Sequence, residues 1–137
     1  MQRQYAAGMR YLTRHFAVGA LRRGNAIEQF LGGVDVAGVA AVRWVAITPI
    51  GDEYRISVHT VEDLDGQHAD LAEFPSVDPV DEEYVGQGRE LGRTTDVQEV
   101  LELAEQLSGA VPGQWVNFAV AGEEYLDYLR ARRQALG

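Results

Sequence analysis

The chain contains no cysteine and no lysine, only four prolines, and no long apolar run in its 137 residues. Without cysteine there is no disulfide framework, no thiolate zinc site and no cysteine nucleophile. A redox role would need a bound cofactor. All 12 basic residues are arginine, a usage expected from a GC-rich coding sequence and so from a bacterial source. The longest apolar run near the N-terminus, 16–21, is too short for the apolar core of a signal peptide, and Arg22-Arg23 is followed by Gly24, Asn25 and Glu28 instead of an apolar stretch. No segment approaches the roughly 20 apolar residues of a membrane span. The expectation is a cytoplasmic chain.

The net charge is −9 and unevenly placed. Residues 1–38 hold Arg3, Arg10, Arg14, Arg22 and Arg23 against Glu28 and Asp35, a balance of +3, which leaves −12 on the remainder. Such a chain repels phosphate backbones and anionic lipid, since both are bound by clustered Lys and Arg. Neither nucleic acid nor a membrane surface is an expected partner.

At this length one domain is the ordinary outcome. Tyr5, Met9, Leu12 and Phe16 fall at i, i+4, i+7 and i+11, the spacing of one helix face, and Leu21, Ile27, Phe30 and Leu31 extend the pattern past Gly24. The reading is an N-terminal helical segment over 1–33, stopped by Gly32-Gly33, then a small flexible linker over 34–41 and an α+β core over 39–137. Within that core 39–48 is rich in β-branched and aromatic residues and reads as a strand, with a Gly51-Asp52 turn after it. Tyr54, Ile56, Val58 and Thr60 alternate with Arg55, Ser57 and His59, which predicts a second strand with one buried and one wet face, paired antiparallel with the first. A short strand over 89–93 precedes a helix with Thr95 or Asp96 as N-cap, an apolar stripe of Val97, Val100, Leu101, Ala104 and Leu107, and Gly109 as C-terminal cap. A strand over 115–120 leads to a last helix opened by Glu123 and Glu124 and closed by Arg130, Arg132 and Arg133, charges that suit its dipole. The sum is a two-layer α+β fold: a mostly antiparallel sheet of about four strands against two C-terminal helices, with the N-terminal helical segment added.

The chemistry-bearing residues form no familiar catalytic or metal-binding set, and no cofactor site is expected. Ser57, Ser76 and Ser108 lack a nucleophile-elbow context. His15, His59 and His68 do not pair at helical ligand spacing, and His59 reads as a solvated residue beside Arg55 and Ser57. Asp63-Leu64-Asp65-Gly66 superficially suggests a calcium loop, but setting Gly66 at the loop's invariant glycine puts Val61 and Ala72 at the first and last ligand positions. Gly86, Gly88 and Gly92 lead into a strand, whereas phosphate cradles open a helix. Glu123 and Glu124 are adjacent on a helix and so do not face one substrate.

What stands out is the stretch 62–83, which carries Glu62, Asp63, Asp65, Asp70, Glu73, Asp78, Asp81, Glu82 and Glu83 with no arginine and ends at Tyr84. An acidic surface beside an aromatic can steer and seat a basic protein, because complementary potentials speed encounter and tyrosine is a common anchor. From residue 39 to about 130, with Trp115-Val116-Asn117 and Glu124-Tyr125 as its motifs, the chain resembles small actinobacterial immunity proteins of polymorphic toxin systems. The resemblance implies a cytoplasmic inhibitor that covers the active surface of a basic toxin or enzyme, and it transfers no individual functional residue. The contact set expected from charge is Asp63, Asp65, Asp70, Glu73, Asp78, Asp81, Glu82, Glu83 and Tyr84. Two alternatives remain open: a sensor or enzyme whose cleft is lined by Trp44, Tyr54 or Trp115, and a homo-oligomer sealed by the Tyr5, Met9, Leu12 and Phe16 stripe.

Overall fold

The computed structural model describes residues 10–63 and 88–136, with side chains to Arg132. Its elements are β1 (Tyr11–Leu12), α1 (Arg14–Arg22), β2 (Ile27–Val36), β3 (Val39–Ile50), β4 (Glu53–Glu62), β5 (Arg89–Thr94), α2 (Val97–Ser108), β6 (Trp115–Asn117) and α3 (Ala121–Leu136). The six strands form one sheet in the order β1-β6-β2-β3-β4-β5, with antiparallel neighbours throughout. The α+β class is as expected, with six strands in place of four, and three helices, among the described residues.

The N-terminal region departs most from the expected helix. Thr13 is extended at φ −64° and ψ 163°, and its side chain accepts from the Phe16 amide, so the helix begins at Arg14. That start places Leu12 on a strand and turns Ala17, Val18, Ala20 and Leu21 toward the core, while Phe16 is 61% exposed. The helix closes with Gly24 at φ +87°, where Asn25 N–H donates to Ala20 O and Gly24 N–H to Leu21 O, the paired bonds of a Schellman cap. Ile27, Phe30 and Leu31 therefore belong to β2, a strand, and not to a continued helix. The supposed linker 34–41 is the β2–β3 hairpin, turned by Ala37 (φ +52°) and Gly38 (φ +86°), two successive left-handed residues as a tight type I′ turn requires. The boundary read between 33 and 39 falls inside this ladder, where Gly33 pairs Val42 and Val36 pairs Val39. Tyr5 and Met9 lie outside the described residues.

Side chains alternate across a strand, and both faces of this sheet are covered. Val45, Ile47 and Ile56 join Ala17, Ala20 and Leu21 of α1, Val97, Val100, Leu101 and Ala104 of α2, and Trp115 in one core. Val42, Trp44 and Val61 join Ala121, Tyr125 and Leu129 of α3 in a second, with Phe30 and Tyr128 against it. Trp44 and Val45 are consecutive, so the two cores lie on opposite faces. The arrangement is three layers, and the two C-terminal helices do not share a side as the two-layer reading expected. The wet face expected for β4 is also absent: Ser57 and Thr60, on opposite faces, are 1% and 3% exposed.

Trp44 and Trp115 are both core residues and sit on opposite faces. Tyr54 packs with the Trp115 side, so the three aromatics do not line one cleft. Among the described residues no helix is long and apolar enough to cross a membrane.

Candidate functional site: the α3 face of the sheet

Polar side chains gather on the face covered by α3, and each is placed there by strand alternation or helix periodicity. Tyr125, Tyr128, Leu129 and Arg132 fall at i, i+3, i+4 and i+7 of α3, one stripe that faces β2, β3 and the end of β4. At the far end of that stripe Asp63, the residue after β4, receives the Tyr125 hydroxyl on Oδ1 and the Arg132 guanidinium on Oδ2 at 3.1 Å. The Asp63 side chain is only 6% exposed. Burial works against the Arg132 charge, but the hydrogen bond and field of Asp63, with Tyr128, outweigh it and raise the Arg132 pKa. Arg132 also lies over the Tyr128 ring, 5.3 Å from its centroid.

At the near end of α3 a second buried carboxylate, Glu28 of β2, accepts from the first helical amide, Ala121 N–H, at 3.1 Å. A carboxylate there satisfies an otherwise orphaned donor and suits the positive end of the helix dipole. The same helix holds the N-terminal strand. Arg10 meets Asp127 at 2.7 Å and Glu123 at 3.7 Å, and its charge is favoured first by the Asp127 hydrogen bond. The Tyr11 hydroxyl donates to Glu124 Oε2 at 3.0 Å. Burial, then that carboxylate, pushes the Tyr11 phenol up to about 12. Arg10 Nη1 stands 3.3 Å from Glu124 Oε1, an ion-pair contact to a buried oxygen that meets no other hydrogen-bond partner among the described residues.

A third cluster stands on β4. His59 stacks flat on its cross-strand neighbour Trp44, with ring centroids 4.7 Å apart and planes 6° apart. Its Nε2 is 3.0 Å from Ser57 Oγ, two residues back on the same face. Gly88 closes over the imidazole so tightly that a Cβ there would meet the ring at 2.6 Å, and its φ of +77° also favours glycine. Beside them Arg55 bonds Glu90 at 2.9 Å and the Gly88 carbonyl at 3.2 Å. Glu90, held first by Arg93 and then by Arg55, has a lowered pKa. His59 is thus a stacked, hydrogen-bonded residue and not the solvated one expected. A serine–histidine contact has the reach of a nucleophile and base, and here Ser57 is buried, 1% exposed.

Of the acidic contact set, the structure places only Asp63, and it places it as a buried anchor for α3. Asp65, Asp70, Glu73, Asp78, Asp81, Glu82, Glu83 and Tyr84 lie outside the described residues. The ends of that stretch are fixed: β4 and β5 are antiparallel, with Val58 opposite Arg89, so Asp63 and Gly88 stand toward the same end of the sheet. Gly92, from the Gly-rich stretch, is a strand residue against Leu103 and Leu107. Among the described residues no group of three or more His, Asp or Glu could hold a metal ion. Sequence reasoning missed the roles of Glu28, Tyr125 and Arg132. The signal was partly available, because Tyr125 and Arg132 share a helix face, but nothing local points to Asp63 as their partner. No protein-family profile, curated protein or solved structure matches the chain.

Proposed function

We propose that the chain is a cytoplasmic, acidic binding protein, an immunity-type inhibitor that covers the active surface of a basic toxin or enzyme. The observation that carries this reading is the concentration of nine acids and no arginine in 62–83 of a −9 chain, on a connection whose ends stand at one end of the sheet. The charged groups on the α3 face support it from the other side. Asp63, Arg132, Arg10 and Glu90 are held in internal pairs, which suits a scaffold more than a reactive centre. Asp81, Glu82, Glu83 and Tyr84 make the contact in this reading, and Asp63 fixes the root of the segment.

An affinity capture from a bacterial host's lysate, with tagged full-length protein eluted by a salt gradient, tests it. The expected result is one basic protein released at moderate salt, as screened opposite charges require. Release only by detergent, or no specific protein at all, contradicts the reading.

A further inference from the structure

We draw no further inference here: the strongest candidate, the exposed Phe118 ring on the turn between β6 and α3, carries nothing, because nothing among the described residues shows what covers it.

Discussion

The two faces of the sheet are held by different physics. The α1–α2 face has the larger apolar core, in which Val45, Ile47 and Ile56 meet Leu21, Val100, Leu101 and Trp115, with fewer polar contacts beside it: buried Gln29 holds the Val111 backbone at 2.7 and 3.1 Å, and Trp115 Nε1 donates to Glu105 at 3.0 Å. On the α3 face the apolar patch is smaller and is bracketed by polar locks, Glu28 at one end of the helix and Asp63 at the other, with Arg10 and Tyr11 along its side. An apolar face tolerates imprecise partners of the right volume, whereas each polar lock depends on one particular partner. The α3 face is therefore the more specified and the more easily broken by a single polar change.

The largest expected effect is on the apolar face. Leu101→Ala, at a side chain 1% exposed, should cost about 2–5 kcal/mol by cavity formation, read as a lower urea midpoint. Next is the lock at Asp63. Asp63→Ala removes the carboxylate shared by the Tyr125 hydroxyl and the Arg132 guanidinium, at a cost of about 1–3 kcal/mol, and in a double-mutant cycle with Tyr125→Phe the two losses should fall clearly short of adding. Additivity there would mean that α3 is docked by apolar contact alone, and the contrast between the faces would vanish. Gly33→Ala comes third. A Cβ at Gly33 would run into the Tyr128 hydroxyl at less than van der Waals distance, and displacing that ring should cost about 1–2 kcal/mol.

The pH dependence offers a gentler probe of the same face. Tyr11 has a folded pKa of about 12 against 10 for the free phenol, so the folded state holds its proton more tightly. That contribution is complete below pH 10 and is lost as pH rises from 10 toward 12. Thermal melts should show this decline in the parent, and Tyr11→Phe should flatten it. The smallest effect belongs to Phe16, which the helix start at Arg14 leaves outside the core. Phe16→Ala should change stability by no more than about 0.5 kcal/mol, and a core-sized loss in the same denaturation assay would restore the helical stripe first read from the sequence.

This contrast also explains which parts of the fold were legible in the sequence. The α2 helix was readable to its ends because its signals are local: Asp96 caps the Gln98 and Glu99 amides, and Gly109 closes the helix at φ +79°. The β3–β4 hairpin was readable for the same reason, from β-branched runs around Gly51-Asp52. The N-terminal pattern misled because spacing alone does not register that Thr13 is extended, and one capping residue changes which side chains face inward. The polar locks were out of reach. Asp63 and Arg132 are 69 residues apart, and Glu28 and Ala121 are 93 apart, so no window of sequence contains both partners. Asp63 was grouped with its acidic neighbours because composition shows charge without showing what the charge faces.

The most direct test of the functional account is a calorimetric titration of the captured basic protein into the parent chain and into Asp81→Asn/Glu82→Gln/Glu83→Gln, each at low and at moderate salt. The account predicts tight binding by the parent that weakens with salt, and a variant bound about tenfold or more weakly with a shallower salt dependence. Equal affinities for the two proteins at both salt concentrations would contradict it.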